Sequence, residues 1–390
     1  MTDAPILLRG MTWDHARGYE PLAATAVEYN KLHPEVRVTW ERRSLKDFEE
    51  FPVGKLAEDF DLVVFDHPFV GDAAHNGPLL PLDEHLPEPF LQDQAANSTG
   101  SSHRSYTFAG RQWGLAIDAA APVAFWRDDI LERLGASAPQ TWEDLLMFAH
   151  AGHVEIPAAP INCLMNFYSL CVALGEAPFA GRDCVVDKET GTAALIHLRE
   201  LVTACDAGCL ERNPIASHEL VASAKNTRVA CCPLAYGYSN YSRDGFRAHP
   251  VRFGQPPAFA GNPLRTVLGG TGLGVSAIRV HREAAVDYAA FVASGEVQRA
   301  LYTRHGGQPG HRGAWLDAEN NRLTRECFRL TLPALDRAWV RPRYFGHIAF
   351  QENAGPVVHA AVRGDLVPAE ALAQVNSIYH DSLEHATALA

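Results

Sequence analysis

The sequence predicts an α/β protein in which short buried strands alternate with amphipathic helices. Three stretches carry that expectation. Leu62 to Phe65 is a continuous apolar run that breaks into the polar turn Asp66-His67-Pro68, as a strand covered on both faces does. Val36 to Trp40 alternates apolar and polar residues with period two, and Pro21 to Leu32 repeats its apolar positions with the period of a helix.

The remaining elements follow in order. Ile6 to Leu8 reads as the first strand, and Leu45 to Glu58 as a helix ahead of the strand at Leu62. Gly110 to Asp118 reads as a crossover, and Ala119 to Trp126 opens a second α/β unit. Thr141 caps a helix to His150 whose first turn holds Glu143 and Asp144, which suits the helix dipole. Helices are expected at Tyr168 to Leu174 and Thr192 to Ala207, and a strand at Arg228 to Leu234. Gly269 to Ser276 is glycine-rich but lacks the spacing of a dinucleotide fingerprint, so it reads as a crossover strand, with phosphate cradling as the alternative. Helices at Glu283 to Ala293 and Glu296 to Thr303 come next, and further helices from about Leu330. The order strand, helix, strand predicts parallel sheets. Open α/β sheets hold ligands beyond the carboxyl ends of their strands, which makes Asp66 and His67 the first candidates.

Composition narrows the function. A chain of 390 residues is long enough for two or three domains with real cores. With 46 acidic against 34 basic residues and a formal net charge of -12, a nucleic-acid partner is not expected. No apolar stretch approaches the roughly 20 residues that cross a bilayer, so no membrane insertion is expected. The eight cysteines (Cys163, Cys171, Cys184, Cys205, Cys209, Cys231, Cys232 and Cys327) are scattered without a CxxC or zinc spacing and read as free thiols in a reducing compartment. MTDAPILLRG has only Ile6, Leu7 and Leu8 ahead of Arg9 and does not read as an export leader. The expected location is therefore cytoplasmic, or periplasmic or extracellular if a leader has been removed.

Two segments, Asp59 to Leu86 and Ala138 to Leu146, resemble the extracellular solute-binding proteins of ABC importers, specifically the carbohydrate type of the periplasmic-binding-protein type II fold. The resemblance implies two discontinuous lobes joined by a hinge, residues 1–118 with 270–328 and residues 119–269 with 329–390. They would close on a small-molecule ligand without covalent change. It also implies an ABC-importer permease as partner if the protein is exported.

Four loops mix aromatic faces with planar polar groups, the combination that covers a sugar ring and satisfies its hydroxyls. They contain Trp13, Asp14 and His15; Asp66 and His67; Tyr236, Tyr238 and Asn240; and Arg341, Arg343 and Tyr344. By the resemblance, Trp13, Asp14, Asp66, His67, Tyr236 and Tyr344 fall at cleft positions. Packing behind a helix is the competing role for Trp13, and capping that helix the competing role for Asp14. Arginine beside Tyr344 offers a forked donor, which raises acidic or carboxylated ligands over plain sugars. Asp14, His15, Asp66 and His67 could supply metal ligands only if their loops converged, and no HExxH-like spacing supports it, so neither a metal nor a cofactor is expected. No catalytic residue stands out. The alternative function is a cytoplasmic enzyme on the same fold that acts on a carboxylated metabolite, for example a decarboxylase.

Overall fold

The computed structural model describes residues 5–45, 52–181 and 183–388. Part of the helix expected from Leu45 to Glu58 lies outside these residues; the described part is the helix Val53–Asp59. Ten strands form among the described residues. They are β1 (Ile6–Trp13), β2 (Val36–Arg43), β3 (Leu62–Asp66), β4 (Thr107–Phe108), β5 (Arg111–Gln112), β6 (Leu115–Ala116), β7 (Pro122–Trp126), β8 (Cys231–Tyr236), β9 (Arg252–Gly254) and β10 (Thr271–Val275).

The chain divides into two compact units. Unit 1 comprises Met1–Ala120, Gly269–Arg322 and the short segment Arg343–Phe345; unit 2 comprises Ala121–Leu268, Leu323–Pro342 and Gly346–Ala390. The return of Arg343–Phe345 to unit 1 has no counterpart in the division expected from the sequence.

Unit 1 is built on a five-stranded sheet ordered β2-β1-β3-β10-β6. β1 pairs in parallel with β2 from Ile6 opposite Val36 to Trp13 opposite Arg43, and in parallel with β3. β10 runs antiparallel to β3, with Thr271 opposite Asp66. Its amino end therefore lies beside the carboxyl end of β3. The apolar run Leu62, Val63, Val64 and Phe65 is essentially inaccessible to solvent, as its composition requires. β1 is longer than the sequence indicates because Gly10, Met11, Thr12 and Trp13 continue its pairing, which makes Trp13 a strand residue.

The helix Ala16–Leu32 starts five residues earlier than Pro21. His15 caps it, its Nδ1 accepting from the Arg17 N–H at 2.9 Å. Pro21 lies inside the helix, beyond its first turn, and so removes one hydrogen bond from its ladder.

In unit 2 the three-stranded sheet is ordered β8-β7-β9, and both pairs are antiparallel. This corrects the expectation of parallel sheets, and β10 in unit 1 corrects it too. The handedness rule applies to a strand, one crossover and the next strand of the same sheet. Between β7 and β8 the chain makes an excursion through several helices, and an excursion that long returns a strand in either direction. Thr141 does cap the helix Trp142–His150, its Oγ1 accepting from Asp144 N–H at 3.1 Å. The helices Pro160–Ala173, Lys188–Ala204, His347–Arg363 and Pro368–Ala388 pack together as the apolar bulk of the unit. Glu155 is buried there as a carboxylate held by the Arg212 fork at 2.8 and 2.9 Å and by Ser217 Oγ at 2.9 Å.

Candidate functional site

The carboxyl edge of the unit 1 sheet concentrates polar side chains. Arg17, in the first turn of its helix, and Asp118, just after β6, are both almost completely buried and form a two-point ion pair, Arg17 Nε donating to Asp118 Oδ2 at 2.8 Å and Nη2 to Oδ1. Asp118 also accepts from the Gln308 backbone N–H. Burial pushes the Asp118 carboxyl up from its ordinary range, and Arg17 pulls it back down. The hydroxyl of Tyr302, buried beside this pair, has no hydrogen-bond partner among the described residues.

Asp66 ends β3 with its side chain half-buried, close enough to Asp118 for the two carboxylates to repel. His67 follows it and is fully buried, its ring edge-on to Tyr106 at 6.3 Å. Tyr106 donates its hydroxyl to the Phe65 carbonyl at 3.1 Å and lies within 3.3 Å of the Gly270 carbonyl. It thus ties β3 to the start of β10. Next to Asp66 across the ladder stands Thr271, whose buried Oγ1 has no partner among the described residues. Gly270 has φ +93°, and a Cβ there would overlap the Asp118 carbonyl, so only glycine lets the two chain segments meet.

Arg343–Phe345 completes this edge. Arg343 Nη1 lies 2.9, 3.0 and 2.7 Å from the carbonyls of Arg104, Ser105 and Thr107, and Phe345 stacks on His75 with ring centroids 4.1 Å apart. The backbone of Arg343 and Tyr344 lies against Gly71, in the helix that follows His67. Tyr344, half-buried, is thereby carried to the neighbourhood of the Asp66–His67 turn. A Cβ at Gly71 would overlap the Arg343 carbonyl oxygen. Gly71→Ala is therefore expected to displace this segment and cost about 1–3 kcal/mol of stability, read as a lower urea midpoint. An unchanged midpoint would show that the segment yields freely.

The other expected residues take different roles. Trp13 is only 3 % exposed and lies over Gly18, so it packs against the helix that follows its strand. Asp14 is exposed and pairs with Arg42 at 3.2 Å, and Arg42 in turn covers the Tyr19 ring; the carboxylate neither caps the helix nor joins Asp66. His15 spends Nδ1 on the helix cap. Arg343 is committed to backbone carbonyls, and Arg341, buried in unit 2, donates to Gln351 Oε1 at 3.1 Å.

In unit 2, Tyr236 is half-buried at the end of β8, opposite Pro122 where the chain enters the unit. Tyr238 belongs to the core of that unit with Tyr241, whose hydroxyl donates to Glu219 at 2.7 Å. Asn240 is 2 % exposed, and its buried Oδ1 has no partner among the described residues.

Among the described residues no group of three or more His, Cys, Asp or Glu side chains is arranged to hold a metal ion. The eight cysteines are free, and burial pushes the thiols of Cys163, Cys171, Cys205, Cys209, Cys231 and Cys232 up, away from the reactive thiolate.

Residues 24–319 match the family of bacterial extracellular solute-binding proteins. The chain belongs to that family. Its members bind small-molecule ligands and work with ABC permeases, and the present solute-binding protein shares their fold. Among solved structures, maltose-bound MalE3 of T. maritima superposes with a TM-score of 0.83 at 17% identity, covering 96% of this chain and 99% of that one. The GacH receptor of Streptomyces glaucescens, solved unliganded and with acarbose, gives 0.80 at 18% identity over 98% and 99%. A solute-binding protein of Agrobacterium radiobacter K84 in complex with ribitol gives 0.77 at 17% identity over 96% and 98%. At such identities the likeness speaks for the fold alone. No curated protein matches this chain by sequence. No helix among the described residues is long and apolar enough to cross a membrane.

Proposed function

We propose that this solute-binding protein takes a neutral, polyhydroxylated ligand of the sugar or polyol class. The contacts would be Asp66 and Tyr344 of unit 1. The observation that carries this reading is the carboxyl edge of β3, where the half-buried Asp66 carboxylate and the half-buried Tyr344 ring, carried there by the packing of Arg343 and Tyr344 on Gly71, offer an acceptor and a ring face of the kind that serves sugars. Engagement of Arg341 and Arg343 within the protein favours a neutral ligand over a carboxylated one. The structural neighbours solved with maltose, acarbose and ribitol lend the class further support.

His67, Tyr106, Arg17 and Asp118 serve as the rigid base on which Asp66 stands, since a site is only as well ordered as the residues behind it. The eight free thiols favour a reducing compartment, and we read this protein as cytoplasmic. An exported form would deliver its ligand to the permease of an ABC importer.

Titration calorimetry against maltose, ribitol and related neutral sugars tests the reading. Asp66→Asn and Tyr344→Ala are each expected to weaken binding of the responding ligand by about 1–3 kcal/mol, through a lost charged acceptor and a lost ring face respectively. Their thermal midpoints without ligand should stay near that of the parent. Full affinity in both variants would remove this edge of unit 1 from the site.

A further inference from the structure

Unit 1 carries a groove of about 790 Å³ at the amino end of its sheet, the end opposite to Asp66. Its size falls within the range of small-molecule sites. Ile6 and Val36, which open β1 and β2, line it. β10 runs antiparallel to β3 and ends at Val275 opposite Leu62, so the loop that follows brings Ile278 and Val280 to the same edge. Both side chains are exposed apolar surface. The helix Arg282–Ala293 adds Glu283 and Asp287, one turn apart.

The polar group that marks the groove is Tyr29. It is 3 % exposed, its ring stacked on His33 at 4.2 Å between centroids and edge-on to Tyr288 at 5.1 Å. Its hydroxyl makes no hydrogen bond among the described residues, and the little of Tyr29 that stays accessible lines the groove. Burial, with the negative charges of Asp287 and Glu35, raises its pKa to about 12, so the hydroxyl stays neutral and its oxygen can accept. Asp287 and Glu35 are both exposed and line the same groove. Asp287 has no ion-pair partner among the described residues, and Glu35 has the His33 ring nitrogen at 3.5 Å. The neighbouring guanidinium groups are committed elsewhere: Arg279 Nε lies 3.6 Å from the buried Asp61 carboxylate, and Arg282 Nε donates to the Arg279 carbonyl at 3.1 Å.

We infer that this groove is a second ligand site, for a primary alkylammonium ion. Its three N–H donors meet three acceptors, the Tyr29 oxygen and the carboxylates of Asp287 and Glu35, and its chain lies on Ile278 and Val280. Exposed carboxylates alone hold a cation weakly. The Tyr29 oxygen, fixed by its buried ring, gives the set a rigid member, and hydrogen bonds from a charged donor are the stronger kind. The site lies at the other end of the sheet from the edge assigned to the sugar-like ligand and does not rest on that assignment.

Saturation-transfer NMR of the full chain with pentylammonium chloride tests it, at about 0.15 M ionic strength, where diffuse attraction to an acidic chain is screened. Pentyltrimethylammonium keeps the charge and the chain but has no N–H donor; n-pentanol keeps the chain and lacks the charge. Saturable binding of pentylammonium is expected, about tenfold weaker for either analogue. Tyr29→Phe, which keeps the buried ring, and Asp287→Asn, at an exposed position, are each expected to weaken pentylammonium binding about tenfold. Absence of saturable pentylammonium binding, equal binding of either analogue, or full affinity in either variant would overturn the assignment.

Discussion

Asp118→Ala is expected to destabilise the protein by about 3–5 kcal/mol, because it leaves the Arg17 guanidinium buried without its carboxylate. Chemical denaturation followed by circular dichroism measures this as a fall in the urea midpoint at constant slope. The double variant Arg17→Met with Asp118→Leu, which replaces both charges by apolar groups of similar volume, should recover most of the loss. A single variant as stable as the parent would mean that water reaches the pair. Because Asp118 lies at the same edge as Asp66, a destabilised base should also weaken ligand binding in the single variant more than in the double one.

The second large effect concerns pH and sits in unit 2. His347 is fully buried against Phe179 and Phe350, with ring centroids 5.7 and 5.8 Å away, and burial together with the positive charge of Arg341 lowers its pKa to about 3, against a smaller opposing contribution from Gln351. The folded protein therefore keeps this imidazole neutral, while the unfolded chain protonates it at the ordinary value near 6.5. Between these values the unfolded state holds more protons, so stability falls as pH falls, and above about pH 6.5 the group contributes no pH dependence. Each tenfold difference in proton affinity is worth about 1.4 kcal/mol, so the penalty reaches on the order of 2–3 kcal/mol by about pH 4.5 and on the order of 4–5 kcal/mol below about pH 3. His347→Phe, which keeps an aromatic ring in the same cluster, is expected to flatten that part of the acid limb. Urea midpoints of both proteins at pH 7 and about pH 4.5 measure it, and parallel loss in the two would contradict the assignment.

Much of the fold was legible because its signals are local. The apolar run at Leu62 to Phe65, the Thr141 cap and the helical period at Pro21 to Leu32 each need only a few neighbouring residues to be read. Strand direction in unit 2 was not legible, since β7 and β8 are joined through many intervening elements and nothing in either strand encodes its partner's direction.

The candidate site divides along the same line. Asp66 was readable as the polar end of a buried strand, whereas Arg17 and Asp118 are 101 residues apart and neither carries a local sign of burial. Tyr106 had no signal at all. Arg343 and Tyr344 show the converse: the residue types were noticed, but which of them is spent on backbone carbonyls depends on a segment brought back to unit 1 by the fold. Aromatic density around Tyr236 likewise proved to be mostly core, with Tyr238 and Tyr241 packed inside unit 2.

Binding without turnover is the central claim, and native mass spectrometry of the protein as purified tests it most directly. Mild ionisation should reveal a one-to-one complex with a small molecule, or form one on addition of a neutral sugar or polyol. Denaturation should then release that molecule chemically unchanged, with a mass and fragmentation that identify a polyhydroxylated compound. Recovery of a converted product after incubation, or no complex with any neutral polyhydroxylated compound, would contradict the account.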